Sequence, residues 1–452
     1  MTANNFQSIP KANISLFEIM NRSSEMKIDF FKNKQKQYGH LYKMQILDRK
    51  IVVCTNPDIV KHILVDNNKN YTKSFAYDVI KIFLGNGLLT SEGEFWKRQR
   101  RLAQPAFHKQ KLDLMLQNMI AETKKSIAGI EQYEDTNLFF DFNKVLYELT
   151  LNIVNKTLFY NEIKGTTDMI YNLVSKGSEF ISERINNPLR LPEWIPTPQN
   201  IREKSTLESM DNVFKEIIQR RRKSKTPHED LLSMFMDAVD EETGEGMTDK
   251  QLRDEILTIF VAGHETTQIA LAWTLYLLSK NPDKMKILQQ EIDENIIDDN
   301  IDSAVFRKMP YLKMVIDESM RIFPPAWIIG RKSIDEDVLL NYKIDKETNV
   351  IMPVFLIHKD PEIWENPNAF IPERFAPEKI KERHKYAYFP FGGGPRLCIG
   401  NNFAIQEMQV ALCLMLKKFK IEIDKNFVPD VEPLVTLRQK NLMYAKISSR
   451  GK

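Results

Sequence analysis

The alternation of apolar and polar residues predicts a short strand pair close to the N-terminus. Residues 40–46 and 50–55 alternate in this way on either side of a turn-like Leu47-Asp48-Arg49 segment. Successive side chains of a strand point to opposite faces, so this alternation is typical of a hairpin with one buried face. A small β region is therefore expected before the helical part of the chain.

After this hairpin the apolar residues recur at spacings of three to four, which predicts a mainly helical chain. Two helix starts have the residue pattern of a capping box, Ser91 with Glu94 and Thr248 with Gln251. The second of these helices is expected to be the longest. The helices predicted from the periodicity span residues 56–64, 91–104, 109–131, 138–159, 167–185, 201–224 and 248–280.

Prolines and weaker periodicity divide the last third of the chain. Pro310 opens a helix that Pro324-Pro325 ends, because proline lacks the N–H group that a helix interior needs. Short strand-like runs return at 331–353, residues 360–395 lack periodicity, and a last long helix at 399–417 precedes a strand at 419–423. The expected fold class is mainly α with small β patches. No linker is long enough to separate domains, so residues 1–452 are expected to form a single domain.

The composition favours a folded globular protein without nucleic-acid partners. Of the 452 residues, 42% are apolar and 28% are charged, and the net charge is only +3, which gives no general attraction to nucleic acid. Three cysteines are too few for a disulfide framework and indicate a reducing compartment. No apolar run reaches the roughly 20 residues of a membrane span, so a cytoplasmic protein without a membrane anchor is expected.

A glycine-rich stretch before the last long helix holds the most reactive candidate, Cys398. Three glycines and a proline lie between Phe391 and this cysteine. The unsatisfied N–H groups and the dipole of a helix N-terminus favour a thiolate, which serves as a nucleophile or a metal ligand. An inert buried cysteine is the plainer alternative. A zinc site lacks a second ligand nearby, a phosphate loop lacks its G-K-[S/T] ending, and no histidine is indicated as partner of a cysteine hydrolase.

This stretch resembles the F-x-x-G-x-R-x-C-x-G signature that binds haem in the cytochromes P-450. The resemblance implies that the cofactor is haem b (iron protoporphyrin IX) and that Cys398 is the metal ligand on its proximal side. It also implies that Phe391 packs beside the sulfur and that Arg396 pairs with a haem propionate. Gly392 and Gly400 would belong to the same haem-binding segment. A thiolate ligand donates electron density that favours cleavage of the O–O bond.

Two charged motifs resemble a structural triad of the same family. Glu318 and Arg321 match its E-x-x-R motif, and residues three apart on a helix share a face. The resemblance implies that Arg374, in a Pro-Glu-Arg-Phe segment, completes a triad that fixes the loop presenting Cys398. This role is structural and not catalytic. Taken alone, the first pair is better interpreted as an exposed ion pair worth a fraction of a kcal/mol.

The Ala-Gly-His-Glu-Thr-Thr segment at 262–267 lies inside the longest predicted helix. A glycine within a helix costs roughly 1 kcal/mol relative to alanine, so a slightly weak core helix is the plain interpretation. The segment also resembles the family's motif on the oxygen-binding side, in the form of its fatty-acid-hydroxylase-like branch. By this resemblance Gly263 lets the helix lie close to the haem, while Glu265 and Thr266 are the catalytic acid–alcohol pair that delivers protons.

Three further residues resemble the family's contacts to the haem propionates. Trp96 and Arg100 match a W-x-x-x-R motif, and a separation of four places both on one helix face. An aromatic–cation pair on a surface helix is at least equally consistent with these two residues alone. Arg331, ten residues after Arg321, matches the family's further propionate-binding position.

The resemblance covers nearly the whole chain and implies a cytochrome P-450 fold with monooxygenase activity. One atom of O2 would enter a C–H bond of a small organic substrate, by hydroxylation or by oxidative O-demethylation. No fused reductase is expected, so electrons would come from a separate ferredoxin or flavodoxin with an NAD(P)H-dependent reductase. Lys97, Arg98 and Arg101 are a candidate basic docking patch. A peroxide-driven haem peroxygenase and a non-catalytic haem sensor are the alternatives, against which Glu265 and Thr266 argue.

The substrate is the least determined feature. The segments that would form the pocket are mainly apolar and aromatic, which suits a fatty acyl, terpenoid or aromatic ligand, while a methylated sugar could stack on the rings. An apolar lining is equally what any protein core contains. The candidate pocket residues are Phe75, Tyr77, Phe83, Leu88, Phe260, His264, Trp327 and Ile328.

Overall fold

Helices dominate the computed structural model, which describes residues 7–15, 18, 24–46, 48–160, 167–187, 190–224, 230–297 and 301–450. The helices are α1 (Ser24–Tyr38), α2 (Pro57–Lys61), α3 (Phe75–Leu84), α4 (Gly93–Ala103), α5 (Lys109–Ile130), α6 (Phe142–Phe159), α7 (Thr167–Asn186), α8 (Pro198–Lys223), α9 (Leu231–Asp237), α10 (Asp249–Lys280), α11 (Pro282–Asn295), α12 (Pro310–Ile322), α13 (Val354–Ile357), α14 (Pro377–Glu382) and α15 (Asn401–Lys418). The expected mainly α class with small β patches is confirmed.

The strands form small sheets at the edges of the helical body. They are β1 (Leu41–Ile46), β2 (Arg49–Cys54), β3 (Tyr71–Lys73), β4 (Phe140–Asp141), β5 (Ile329–Ser333), β6 (Asp337–Leu339), β7 (Tyr342–Ile344), β8 (Asn349–Met352), β9 (Phe419–Ile423), β10 (Val431–Pro433), β11 (Leu437–Gln439) and β12 (Tyr444–Ser449). The largest sheet has the order β1-β2-β8-β5-β3. The predicted hairpin is present as antiparallel β1 and β2 with Leu41 opposite Cys54, although Leu47 in its turn lies outside the described residues.

The long helix α10 forms the centre of the helical body. It packs against α6, α8, α12 and α15, and its buried residues lie on all sides, including Leu252, Phe260, Leu271 and Trp273. A helix that is apolar all round is typical of a protein interior. In the part of the chain that the structure describes, α10 included, there is no helix with the length and hydropathy to span a bilayer.

The two predicted capping boxes have different outcomes. At α10 the Thr248 hydroxyl accepts the Gln251 N–H and the Gln251 side chain accepts the Thr248 N–H, so this box is confirmed. The box at Ser91 is wrong, because α4 begins at Gly93 and its N-terminal side chain makes no capping bond. The Glu92 carboxylate instead accepts the Lys73 N–H at 2.8 Å and pairs with Arg396. These two contacts attach the chain before α4 to the site described below.

Candidate active site

Glycines shape the loop that presents Cys398. Gly394 has φ +64°, and a Cβ atom there would lie 1.8 Å from the carbonyl oxygen of Leu64, so only glycine fits. The Cys398 N–H donates to the Phe391 carbonyl at 3.0 Å, which closes the loop. The next helix begins at Asn401, three residues after the cysteine. The loop leaves the Cys398 side chain open to a large internal cavity.

The surroundings of Cys398 do not by themselves stabilise a thiolate. Burial raises the pKa of its thiol, while the Gly400 N–H and the Arg100 guanidinium act in the opposite direction. The Gly400 N–H, at the N-terminus of α15, does act on the sulfur as expected, but burial has the larger effect on the pKa of the thiol. A coordinated metal ion removes the thiol proton outright. A metal ion bound at Cys398 would therefore keep its side chain as a thiolate despite the burial.

Three charged residues behind this loop meet as the sequence motifs suggest. Arg321 donates from Nε to Glu318 Oε2 at 2.7 Å, and both side chains are completely buried. Arg374 Nε lies 3.3 Å from Glu318 Oε1. The same Glu318 oxygen accepts the Ile371 N–H at 2.9 Å, and Arg321 donates to the His358 carbonyl at 2.8 Å. The triad thus joins α12 to the aperiodic segment before the cysteine loop.

A cavity of about 620 Å³ separates the cysteine loop from α10. Phe391, Gly392 and Gly400 line one wall, and Gly263 and Thr266 line the wall opposite. Cavities of this size commonly enclose a cofactor or a drug-sized ligand. The remaining lining comes from α1, α3, α4, α6, α7, α12 and α15, from strands β1, β2, β5 and β8, and from the chain around β10 and β11, among others.

Cationic side chains line the rim of this cavity near the cysteine loop. Arg331 and Lys73 face it from the paired strands β5 and β3, and Arg100 and Arg396 face it from α4 and the cysteine loop. Burial, followed by Arg331 and Arg396, holds the pKa of Lys73 well below its ordinary value. Glu92 is the carboxylate among these cations, paired with Arg396 at 2.5 Å. The rim therefore has an excess of positive charge that suits an anionic ligand.

Trp96 supports this cationic rim. The Arg396 guanidinium lies 3.7 Å from the centroid of the Trp96 ring, a cation–π contact. Arg100 lies one turn along the same helix and donates to the Leu397 carbonyl at 2.9 Å. The arrangement fits an iron porphyrin, because a sulfur ligand faces the cavity and the cations can neutralise two propionates. Lys73 joins the rim although no sequence motif indicates it, since only the pairing of β3 with β5 brings it there.

The acid and the alcohol on α10 both line the cavity but have different hydrogen-bond partners. The Thr266 hydroxyl donates to the Ala262 carbonyl at 2.8 Å and lies on the cavity side. Glu265 Oε1 accepts from the Thr436 hydroxyl at 2.9 Å, on the side of the C-terminal strands. Gly263 contributes backbone to the cavity wall, and a Cβ atom there would lie 3.4 Å from Val154 on α6. The glycine therefore also permits close packing of α10 against α6.

Two carboxylates of α10 hold the segment that follows α3. Asp254 Oδ2 accepts the Asn86 N–H at 2.8 Å, and Glu255 Oε2 accepts the Leu88 N–H at 2.9 Å. Glu255 Oε1 is buried without a hydrogen-bond partner, and burial raises the pKa of this carboxyl to about 8. The segment carrying Leu88 is thus fixed to α10 through its backbone and forms part of the cavity wall.

Two of the candidate pocket residues do not reach the cavity. Phe260 packs between Phe159 and Phe214 in the core, and His264 is fully buried, with its ring bonded to the Phe260 carbonyl and the Tyr147 hydroxyl. These two assignments are wrong because both side chains lie on the face of α10 turned away from the cavity. The candidates that do line it are Phe75, Tyr77, Phe83, Leu88, Trp327 and Ile328.

The predicted basic docking patch is mostly neutralised. Arg101 bonds to Asp240 at 3.0 Å and to Glu242 at 2.8 Å, both in the loop between α9 and α10. Arg98 donates to two carbonyls of the same loop, and Lys97 pairs with Glu94 on its own helix. The sequence gives no sign of this contact, because the acidic loop is about 140 residues away along the chain.

Comparisons with known proteins agree with this geometry. A sequence model of the family described as Cytochrome P450 matches residues 9–445. The chain is 30% identical over 413 residues to a putative cytochrome P450 132 of Mycobacterium tuberculosis, covering 87% of each chain. It is 30% identical to a cyclooctat-9-en-7-ol 5-monooxygenase of Streptomyces melanosporofaciens, covering 85% of this chain and 83% of that protein. It is 28% identical to the carotene epsilon-monooxygenase of Arabidopsis thaliana, covering 92% and 80%.

A solved structure extends the likeness to the fold. The cytochrome P450DA heme domain superposes with a TM-score of 0.87 at 23% identity, covering 99% of this chain and 98% of that one. At this identity the likeness concerns the fold alone. The residues matched by the family model, 9–445, include Cys398 and the whole of α10.

Proposed function

This chain belongs to the cytochrome P450 family and is a haem-thiolate monooxygenase, and on that premise we propose how it binds its cofactor and what it oxidises. The cofactor is haem b, with Cys398 as the iron ligand and residues 1–452 acting as one haem domain. Arg100, Arg331, Arg396 and Trp96 bind the propionates. The observation that carries this proposal is that one cavity is lined both by Cys398 and by Thr266 of α10. Positively charged side chains are in excess at the rim of the same cavity.

The bound haem supplies dioxygen activation and insertion of one oxygen atom into a C–H bond of the substrate, the other atom leaving as water. The residues of the chain hold and protect the reacting groups. Phe391 shields the sulfur, and the triad of Glu318, Arg321 and Arg374 keeps the cysteine loop in place. Thr266 and Glu265 provide a hydroxyl and a carboxyl from which protons are moved into the cavity.

An apolar substrate of the terpenoid class suits the cavity best. Phe83, Leu88, Trp327 and Ile328 give it an apolar wall, and two of the relatives are named for oxidation of carotene and of cyclooctat-9-en-7-ol. Hydroxylation of a ring or chain carbon is the proposed reaction. On a substrate with an O-methyl group, the same chemistry gives an unstable hemiacetal and therefore O-demethylation.

We propose that the electrons come from a separate ferredoxin or flavodoxin with an NAD(P)H-dependent reductase. The proposed compartment for this reaction is the cytoplasm. The acidic loop over Arg98 and Arg101 leaves Lys97 as the most exposed side chain of the basic patch. Docking is therefore assigned to the wider surface around the cysteine loop, where Leu397 is exposed. Electrostatic steering of a partner weakens as salt rises.

The assignment of Cys398 as the iron ligand is tested by the absorption spectrum of the reduced, carbon-monoxide-treated protein. The wild type and a Cys54→Ala control, whose cysteine is buried in β2, should show the red-shifted Soret band of a thiolate ligand. Cys398→Ala should lose it. An unchanged band in Cys398→Ala would overturn the proposal.

The substrate is tested with a panel of terpenoids, fatty acids and methylated sugars. Ligands that displace water from the iron shift the haem spectrum, and terpenoids should do so at the lowest concentration. Turnover under isotopically labelled dioxygen, with a surrogate ferredoxin and its reductase, should place the label in the product. Fast turnover by hydrogen peroxide alone would instead favour a peroxygenase.

A further inference from the structure

The Glu265 carboxylate is held at a seam between α7 and the segment that joins β10 to β11. The Thr436 hydroxyl donates to it at 2.9 Å, and the Ser178 hydroxyl of α7 bonds to it from the other side. Successive residues of a helix point about 100° apart, so Glu265 meets this seam at one edge of the cavity that Thr266 also lines. Both hydroxyls that touch Glu265 are themselves buried.

Arg438 lies near this seam and bonds to side chains that are closer to the surface than Glu265. Its guanidinium donates to Ser175 Oγ at 3.1 Å and to Glu432 Oε2 at 2.8 Å, and it lies 3.3 Å from Glu179 Oε1. The Glu179 side chain is 50% exposed, whereas Glu265 is 8% exposed. The polar side chains around Glu265 and Arg438 are thus Ser175, Ser178, Glu179, Glu432 and Thr436. The charge of Arg438 acts on the Glu265 carboxyl, while its hydrogen bonds go to side chains of α7 and of the chain at β10.

The charges around Glu265 come from several elements. Burial raises the pKa of Glu265, and Thr436, Arg438 and Ser178 lower it in that order. Tyr147 of α6 also faces the carboxyl, and burial followed by Glu265 keeps the pKa of its hydroxyl far above the ordinary value. The neighbouring His264 is buried with a pKa lowered to about 4 and is therefore neutral. Arg438 is the cation nearest to Glu265 in the described part of these elements.

We propose that Thr436 and Arg438 are positioning residues that hold the Glu265 carboxylate at the seam, where it takes protons from solvent for delivery to the cavity. This inference rests on the proposed monooxygenase function. Water in the seam gives one proton to the carboxylate. The Glu265 carboxyl then gives a proton to Thr266 or to water in the cavity that both residues line, which restores the carboxylate. Glu265 gains and loses one proton in each cycle and no electrons.

The first test follows the Glu265 carboxyl in the ferric protein by infrared spectroscopy over a pH range. The band is assigned by its loss in Glu265→Gln. Thr436→Val should raise the titration midpoint by about one pH unit because the carboxylate loses a donor, whereas Thr436→Ser should keep the wild-type midpoint. Arg438→Met should raise it as well, and Arg438→Lys should restore part of the difference.

A matched control is Arg222→Met, which removes an arginine paired with a carboxylate at the surface, Asp249. Its midpoint should equal that of the wild type. An unmoved midpoint in both Thr436→Val and Arg438→Met would overturn the inference. This titration needs neither substrate nor redox partner, so its failure is distinct from absence of the thiolate band, which would overturn the proposed function itself.

The second test measures how many electrons end in product and how many in hydrogen peroxide. Thr436→Val should divert several-fold more electrons to peroxide and lower kcat with KM unchanged, because proton supply and not substrate binding is altered. Thr436→Ser should behave as the wild type. A purely structural role would lower the fraction of haem-loaded protein and leave the peroxide ratio unchanged, which would also contradict the inference.

Discussion

Two buried carboxylates, Glu318 behind the cysteine loop and Glu255 above the cavity, are held in opposite ways. Glu318 is fully buried and receives Arg321, Arg374 and the Ile371 N–H. Glu255 is also buried but receives a single N–H, from Leu88, and one of its oxygens has no partner. The proximal side of the molecule is therefore a paired and rigid charge cluster. At the wall above the cavity, by contrast, the Glu255 carboxyl is incompletely hydrogen-bonded, and its protonation can alter that wall.

The largest expected effect is on the paired side. Glu318→Ala leaves the buried Arg321 and the partly buried Arg374 guanidinium groups without their carboxylate, and should lower the free energy of unfolding by about 3–5 kcal/mol. Chemical denaturation measures the change. Asp345→Ala, which breaks the exposed pair with Lys50, should cost about 0–1 kcal/mol. Equal losses in the two variants would contradict the contrast.

A pair of glycines tests the rigidity of the cysteine loop. Gly394 and Gly93 have φ values of +64° and +61°, but only a Cβ atom at Gly394 would collide, with Leu64. Gly93→Ala should cost about 1–2 kcal/mol from its backbone conformation alone. Gly394→Ala should cost about 1–3 kcal/mol more, because the added carbon displaces backbone. The difference between the two melting curves measures the collision, and no difference would mean that the loop yields.

On the incompletely bonded side the expected effect depends on pH. Glu255 has a pKa of about 8 in the folded protein and about 4.3 in an unfolded chain. Between these values the folded state binds more protons, so stability falls as pH rises through this window, by on the order of a few kcal/mol. Glu255→Gln keeps an acceptor for Leu88 and should remove this slope. Denaturation curves at several pH values test it, and a wild-type slope in the variant would refute the assignment.

The smallest expected effect concerns exposed charge. Arg101→Gln breaks contacts to Asp240 and Glu242 at the surface, and should leave the free energy of unfolding nearly unchanged because exposed ion pairs contribute little. Because Arg101 is already paired, electron transfer from a surrogate ferredoxin should keep its wild-type rate at low salt. A large decrease in that rate would restore the basic patch as a docking site.

Local patterns were sufficient for the helices with clear periodicity and for the residues of close-range motifs. The capping box at Thr248, the helix opened by Pro310 and the hairpin of β1 and β2 were predicted, because each depends on neighbours within a few residues. The cap at Ser91 was not, because Glu92 bonds to a distant strand and to Arg396. Periodicity also could not decide that Phe260 and His264 face the core, since α10 is apolar on all sides.

The sequence by itself determined the family, the mainly α fold and the identity of Cys398 as the candidate iron ligand, because these depend on residue types at short, fixed spacings. Only the tertiary structure decided which side chains share the cavity, that Lys73 joins the cationic rim, and that Thr436 and Arg438 reach Glu265. Those contacts join segments more than 150 residues apart along the chain. The direction in which a side chain points depends on how its helix is rotated against the neighbouring helices. Packing sets that rotation, and the local sequence does not encode it.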